Sequence, residues 1–145
     1  MTFIRTLRIL LALMPMISAP FAAAEQKVTV NGYEVHYIVL PTTFLNSSIA
    51  SQYRLPRGRD RALINVSILD PTGNAITANV VGSSRNLLEQ KQQFEFREIV
   101  EGDAIYYLAV MRHADEEHHR FHIEVELPDS RRADIRFQQK MYWEE

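Results

Sequence analysis

Four of the five histidines in the chain lie within ten residues, the segment HADEEHHRFH at 113–122, together with three carboxylates. On a helix, His118 and His122 would share a face with Asp115, and two imidazoles with a carboxylate suit a divalent transition metal. On a strand, His118 and His122 would lie about 13 Å apart while His119 pointed to the opposite face. Ligands of one ion must lie ~2 Å from it, so the backbone period decides whether this segment can hold a metal.

The residues that follow favour a strand. Apolar and polar side chains alternate strictly through FHIEVEL, residues 121–127, as in a strand with one face in water. The preceding run AIYYLAVMRH, residues 104–113, can pair with it, and we predict a β-hairpin. Three apolar pairs set its register: Val110 with Phe121, Leu108 with Ile123, and Tyr106 with Val125.

The predicted hairpin leaves Ala114–Glu117 as its loop, with His113 facing His118 across the base. That pair, with Asp115 or Glu117 nearby, would bind copper or nickel weakly. His113 and His118 are therefore the candidate metal ligands. The favoured interpretation is a charged hairpin tip that resists edge pairing, with no metal and no other cofactor.

Arginines crowd a second segment, RLPRGRDR at 54–61. Guanidinium groups at this density bind phosphate or an acidic partner in some proteins, although such runs are more often simply solvated. Arg54, Arg57 and Arg59 are the candidate interaction residues.

Three carboxylates, Glu98, Glu101 and Asp103, cluster beside a turn. Paired carboxylates serve as acid and base in glycoside hydrolysis, so a small hydrolase built on Glu98 and Asp103 is one alternative. A role in closing the loop is favoured, because a domain of this size offers little room for a substrate cleft. The chain contains neither a GxSxG motif nor a glycine loop that would hold phosphate, and we expect no enzyme activity.

The elements that must position these residues are mostly strands. Asn31-Gly32 between alternating runs predicts a hairpin with a short first strand and a long second one. Asn46 or Ser47 is expected to cap a short helix that ends near Tyr53. Residues 82–86 are expected to form a loop, and QQFEFREIV at 92–100 one strand. The predicted fold is an all-β, antiparallel, immunoglobulin-like β-sandwich of about eight strands with one short helix in a loop.

Large apolar side chains occur on both faces of the predicted strands. Tyr106 and Tyr107 must point in opposite directions, and we place Tyr106 in the core and Tyr107 on the outer surface with Ile105 and Met111. The last strand repeats the pattern with Phe137, Met141 and Trp143. An outer surface of this kind needs a cover, either the helical insertion, which is favoured, or a partner protein.

The N-terminus predicts export. Arg5 and Arg8 precede the apolar run 9–17, and Ala22-Ala23-Ala24 suits a signal peptidase. We therefore predict a signal peptide at 1–24 and a single domain at 25–145. An apolar run this short does not predict a stable membrane span.

The composition of residues 25–145 excludes further classes. These residues carry 14 basic and 18 acidic side chains, a net charge of −4, which gives no indication of a nucleic-acid partner. The chain has no cysteine, so disulfides, thiol catalysis and thiolate metal sites are excluded.

Several segments carry a resemblance to a known family: VHY at 35–37, TTFL at 42–45, RALINVSIL at 61–69, FREIVEGDAIYYLA at 96–109 and RFQQKMY at 136–142. The chain resembles an uncharacterised family of small exported gammaproteobacterial proteins, described only as a domain of unknown function. The resemblance implies a periplasmic β-sandwich and assigns no catalytic or binding residue.

The favoured hypothesis is therefore a periplasmic, non-enzymatic interaction or binding module, with a periplasmic protein as its partner. Its binding surface would be an outer sheet face or the loop at 41–61. Weak transition-metal binding by the His-rich tip is the first alternative, and a small hydrolase is the second.

Overall fold

Alternating side chains organise the chain into two layers. The computed structural model describes residues 25–145, and the predicted signal peptide lies outside the described residues. Within this range nine strands form two antiparallel sheets. The strands are β1 (Gln26–Val30), β2 (Tyr33–Pro41), β3 (Arg61–Leu69), β4 (Asn79–Asn86), β5 (Lys91–Phe94), β6 (Arg97–Glu101), β7 (Ala104–Arg112), β8 (Glu117–Leu127) and β9 (Arg131–Met141).

The two sheets pack face to face. Sheet A has the strand order β1-β2-β3-β7-β6, and sheet B has the order β5-β4-β8-β9. Their inward side chains form one apolar core, in which the ring of Phe121 stacks on that of Phe137 at a centroid distance of 4.7 Å. The predicted antiparallel β-sandwich is thus confirmed, with nine strands in the described chain where about eight were expected.

The turn between β1 and β2 follows the prediction. Asn31 and Gly32 have φ angles of 49° and 83°, the left-handed conformation that both central residues of a type I′ turn require. The short first strand and long second strand are confirmed as well.

An insertion between β2 and β3, residues 42–60, covers part of the outer face of sheet A. It contains a 3₁₀ turn (Thr42–Phe44) and the helix α1 (Ser47–Gln52). Asn46 caps α1 as predicted, since its side-chain oxygen accepts a hydrogen bond from the Ser48 N–H at 2.8 Å. Ala50 and Leu55 are buried, and they form a second apolar cluster with sheet residues that include Leu63 and Leu108. The intramolecular cover expected from the sequence is confirmed.

The predicted β7–β8 hairpin is wrong. Strand β7 pairs with β3 and β6, whereas β8 pairs with β4 and β9, so the connection crosses from one sheet to the other. The inward faces are also exchanged: Tyr107 and Met111 enter the core between the sheets, and Tyr106 lies under the insertion. Both faces of β7 are apolar because both are covered, and alternation alone cannot distinguish them.

Two further predictions, of a strand at 92–100 and of a loop at 82–86, are wrong. The segment 92–100 is not one strand, because the chain leaves sheet B after Phe94 and enters sheet A at Arg97. Phe94 and Phe96 both pack against the core, so the alternating pattern continues through the crossing. Residues 82–86 belong to β4 and are not a loop. Gly82 fits a crowded position there, since a Cβ would lie 3.2 Å from the Phe96 ring and 3.2 Å from the His122 carbonyl oxygen.

Candidate functional site

The histidine segment is divided between two environments. His113 is buried where the chain crosses between the sheets, with Nδ1 2.9 Å from the carbonyl oxygen of Ala114. His118 lies exposed on the outer face of sheet B, opposite Lys140. The hairpin that would make His113 and His118 face each other does not exist, so the geometric argument for this pair as metal ligands fails. Their predicted weak metal binding stays a prediction.

His119 belongs to a buried hydrogen-bond chain. Its Nδ1 lies 3.1 Å from the Ser84 hydroxyl, and its Nε2 contacts the Glu117 carboxylate. Burial raises the pKa of the Glu117 carboxyl, but hydrogen bonds from His119, the Ala114 N–H and Asn86 outweigh it and hold the pKa below its ordinary value. The order serine, histidine, carboxylate resembles a hydrolase triad, yet Ser84 is only 1% exposed inside a strand. This hydrogen-bond chain therefore connects strands β4 and β8, and a substrate cannot reach the Ser84 hydroxyl.

Two of the three carboxylates considered for a hydrolase have a tyrosine partner. Glu98 accepts a hydrogen bond from the Tyr107 hydroxyl at 2.9 Å, and Glu101 accepts one from the Tyr53 hydroxyl at 2.6 Å. Burial raises the pKa of Tyr107, while the hydrogen bond to Glu101 raises that of Tyr53. Asp103 follows the Gly102 turn before β7. The two hydrogen bonds tie strand β6 to its neighbours.

The arginines of the insertion make internal contacts. Arg57 donates to the Thr43 carbonyl oxygen at 3.1 Å, and the Arg59 guanidinium lies 4.4 Å from the centroid of the Trp143 ring. Arg54 has a positive φ of 52° after α1, and its N–H donates to the Ser51 carbonyl oxygen. These contacts fasten the insertion. The interaction role predicted for Arg54, Arg57 and Arg59 stays a prediction.

The outer face of sheet B is open and carries more cationic than acidic side chains. Among its outward-facing residues in the described chain, six are cationic and three are acidic, although residues 25–145 as a whole carry a net charge of −4. The cationic residues are Arg85, Lys91, Arg120, Arg132, Arg136 and Lys140; the acidic residues are Glu124, Glu126 and Asp134. This face therefore carries charge opposite in sign to the domain average.

Three of these cations form a row across the sheet. Lys91 is the register partner of Arg85, and Arg85 is the register partner of Arg120, so the three side chains are direct neighbours on β5, β4 and β8. Residues directly opposite in antiparallel strands have Cβ atoms about 5 Å apart, and like charges there repel. We call Lys91, Arg85 and Arg120 the cationic row. A groove of about 600 Å³ runs beside it and is also lined by His122, Arg136 and Gln138.

A second charged group lies next to the row. Glu124 and Asp134 are register partners, and His122 Nε2 lies 2.9 Å from Asp134 Oδ1 and 3.4 Å from Glu124 Oε1. Within residues 25–145, these are the three residues whose potential ligand atoms all lie within 4.8 Å of one another. Arg136 and Arg132 contact the same carboxylates, at 3.3 Å and 3.8 Å. Any metal would therefore compete with two guanidinium groups.

Part of this surface was predicted from the sequence. The alternation through residues 121–127 correctly put His122, Glu124 and Glu126 on the wet face. The cationic row was missed because Arg85 was assigned to a loop and because its neighbours come from strands far apart in sequence. The pairing of β4 with both β5 and β8 is a tertiary property that alternation does not encode.

Fold and surface together define a small antiparallel β-sandwich with one outer face partly covered by its own insertion and the other open and charged. A family model described as a domain of unknown function, DUF4426, matches residues 27–144. The chain belongs to the DUF4426 family. Among curated proteins, none matches the chain.

Solved structures share the fold. A DUF4426 family protein from Pseudomonas aeruginosa is 30% identical, with a TM-score of 0.74 over 83% of this chain and 97% of that one. FetP from uropathogenic Escherichia coli is 16% identical, with a TM-score of 0.56 over 83% of this chain and 95% of that one. A copper-bound FetP variant gives 16% identity and a TM-score of 0.57, over 82% and 95%. At 16% identity, the comparison with the FetP structures shows only that they have the same fold as this chain.

Proposed function

We propose that this chain is a non-enzymatic periplasmic binding module that recognises an anionic partner through the outer face of sheet B. The observation that carries the proposal is the cationic row, in which Lys91, Arg85 and Arg120 are direct neighbours across three strands. Their mutual repulsion costs stability in the free protein, and a bound anion would relieve it. Guanidinium groups also bind carboxylates and phosphates through paired hydrogen bonds.

The row is incompletely neutralised by the protein itself. The Glu89 carboxylate pairs with Arg120, and Arg85 donates to the Glu89 carbonyl oxygen at 3.2 Å. Neither contact places a carboxylate on Arg85 or Lys91. Both side chains are exposed beside the groove, so an incoming anion can approach them without moving the backbone.

Poly-L-glutamate is a soluble probe for this surface. We expect it to bind the protein in a salt-sensitive manner, and the double variant R85Q/R120Q to bind about tenfold more weakly. The matched control is R54Q/R57Q, which removes two arginines from the insertion and should leave binding unchanged. The proposal fails if the two double variants bind equally well, and a selective loss in R54Q/R57Q would transfer the function to the insertion.

The absence of catalysis is part of the proposal. It is supported by the burial of Ser84 and by the separate tyrosine partners of Glu98 and Glu101. A panel of ester, phosphate and glycoside substrates should give no turnover above buffer. Turnover that disappears in Glu98→Gln would contradict this and support the hydrolase alternative.

The periplasmic location rests on the N-terminal sequence. None of the helices within residues 25–145 has the length and apolar character needed to cross a membrane. Cell fractionation of the full chain, followed by N-terminal sequencing, should recover a periplasmic protein that begins at Glu25. Recovery of the intact N-terminus from the cytoplasm would contradict export.

The immunoglobulin-like topology is proposed on strand order. The order β2-β3-β7-β6 in sheet A corresponds to A-B-E-D of an immunoglobulin domain, and β4-β8-β9 in sheet B corresponds to C-F-G. The loops at the two ends of such a sandwich are its usual recognition elements, which is consistent with a binding role.

A second candidate function is binding of a divalent transition metal by His122, Glu124 and Asp134. The observation that favours it is the proximity of one imidazole and two carboxylates on adjacent strands. Copper is bound by a FetP variant that shares the fold. Calorimetry with Cu²⁺ and Zn²⁺ on the wild type and His122→Ala tests it, with His118→Ala as the control on the same strand face. Equal affinities in the two variants would exclude this site.

A further inference from the structure

We infer that the turn between β4 and β5 is a membrane-docking tip that inserts two leucines into an anionic lipid surface. The cationic row would bind the anionic headgroups beside the tip. This inference rests on the proposed function, because it identifies the anionic partner of sheet B as phospholipid. We call residues 86–90, NLLEQ, the leucine tip.

The leucine tip exposes two large apolar side chains to solvent. Leu87 and Leu88 are 72% and 79% exposed, the two highest values among the large apolar side chains of the described residues. They are consecutive, at the end of a hairpin. Single exposed leucines are common on soluble proteins, whereas an adjacent, projecting pair indicates a surface that is buried in a complex.

The tip is held in one conformation. The side-chain oxygen of Asn86 accepts hydrogen bonds from the N–H groups of Leu88 and Gln90, both at 3.0 Å. Its side-chain nitrogen donates to Gln90 Oε1 at 2.7 Å, and Asn86 itself is only 7% exposed. The exposed leucines therefore do not result from a loose loop. A rigid tip loses little conformational entropy when it docks.

The cationic row begins where the tip ends. Arg85 and Lys91 are the register pair that closes the hairpin directly before and after residues 86–90, and Arg120 continues the row on β8. The acidic residue within the tip, Glu89, is already paired with Arg120. Apolar side chains at the end of a hairpin with basic side chains immediately behind them match the layered chemistry of an anionic bilayer, with acyl chains beneath charged headgroups.

Lipid is favoured over an acidic protein by the shape of the surface. The leucines project into solvent, and insertion into a fluid interface needs no preformed pocket on the partner. Leucine is also under-represented among the residues that dominate protein–protein binding energy. Two inserted side chains and three cations predict reversible, salt-sensitive docking, not stable anchoring.

Co-sedimentation with vesicles tests the inference. Vesicles containing phosphatidylglycerol should bind the wild type at low salt and release it at high salt, while pure phosphatidylcholine vesicles should bind it at least about tenfold more weakly. L87S/L88S should reduce binding to the anionic vesicles at least about tenfold. Phe44→Ser is the matched control, since Phe44 is 55% exposed on the insertion and should not contribute.

A fluorophore can report insertion directly, because the chain has no cysteine. The environment-sensitive dye NBD on Leu88→Cys should shift its emission to the blue and gain intensity with phosphatidylglycerol vesicles. The same dye on Phe44→Cys should not change. Vesicle binding without a change at position 88 would show that the row docks and that the leucines do not insert, which would overturn the inference.

The outcomes separate this inference from the function on which it rests. Suppose that R85Q/R120Q loses poly-L-glutamate binding but the wild type does not bind anionic vesicles. The proposal that the cationic face binds anions is then supported, the lipid inference fails, and an acidic protein becomes the expected partner. If the wild type binds neither probe, both proposals fail. Equal vesicle binding by L87S/L88S and the wild type would also overturn the membrane-docking tip.

Discussion

The outer faces of the two sheets differ in how far the chain itself covers them. On sheet A, outward positions such as Leu63 and Leu108 are apolar, and the insertion at residues 42–60 folds over them. On sheet B, outward positions such as Arg120 and His122 are charged or polar and remain in water. The difference teaches that a sandwich needs only one strong inter-sheet core. The composition of the outward positions then determines whether a face is covered by the chain itself or left for a partner.

Removing methyl groups from the two outer faces should have very different costs. Leu63 is 4% exposed beneath the insertion, so Leu63→Ala should lower the free energy of unfolding by about 2–5 kcal/mol. Val81 is 43% exposed on sheet B, and Val81→Ala should cost under about 1 kcal/mol. Urea unfolding followed by circular dichroism measures both. Equal losses would mean that the insertion is not a packed cover.

The internal closure of the insertion is tested by two adjacent threonines. Thr42 is fully buried, and its hydroxyl donates to the Gly58 carbonyl oxygen and accepts from the Gly58 N–H, each at 3.0 Å. Thr42→Val keeps the shape but leaves backbone groups without this partner, so we expect a loss of about 1–3 kcal/mol by urea unfolding.

The neighbouring hydroxyl provides the control. Thr43 Oγ1 is buried without a hydrogen-bond partner, the one such side-chain atom in residues 25–145. Thr43→Val should therefore be neutral or slightly stabilising, because it removes a desolvated hydroxyl. A similar loss of unfolding free energy in Thr42→Val and Thr43→Val would show that valine is poorly tolerated in this segment for reasons other than hydrogen bonding.

Local signals in the sequence were sufficient for the parts of the fold that they define. Asn31-Gly32 predicted the first hairpin, and Asn46 predicted the start of α1, because turn and cap chemistry act within a few residues. Alternation also predicted which side chains of β8 face water. Each of these features depends on neighbours in sequence.

The features that the sequence did not predict depend on which strands pair. Strand β7 is apolar on both sides, so alternation gave no basis for choosing its inward face, and placing Tyr106 in the core instead of Tyr107 was wrong. The passage from sheet B to sheet A near Phe96 leaves the alternation intact, since both sheets face one core. The cationic row requires the register of β4 with two other strands. A candidate site of this kind becomes visible only in three dimensions.

The junction between the sheets should respond to acid. The pKa of Glu117 is held below its ordinary value of 4.5, so the unfolded chain takes up this proton at a higher pH than the native protein does. The stabilisation is fully present above the ordinary value and is lost as the pH falls through the lower, native pKa. Glu117→Gln should cost about 1 kcal/mol near pH 5.5 and less near pH 3, as measured by urea unfolding. Glu116→Gln, on the adjacent exposed residue, should show no such change, and a constant cost for Glu117→Gln would contradict the assignment.

The smallest expected effect separates structural arginines from binding arginines. Arg57 donates one hydrogen bond to the Thr43 carbonyl oxygen in an exposed position, so Arg57→Ala should cost under about 0.5 kcal/mol of unfolding free energy. The same substitution should leave binding to poly-L-glutamate and to anionic vesicles unchanged, whereas R85Q/R120Q should impair both. The contrast holds because Arg57 donates to the backbone of its own insertion, whereas within residues 25–145 neither Arg85 nor Lys91 of the cationic row forms an ion pair with a carboxylate. If Arg57→Ala weakened anion binding as much as the row variant does, the covered face would be the functional one.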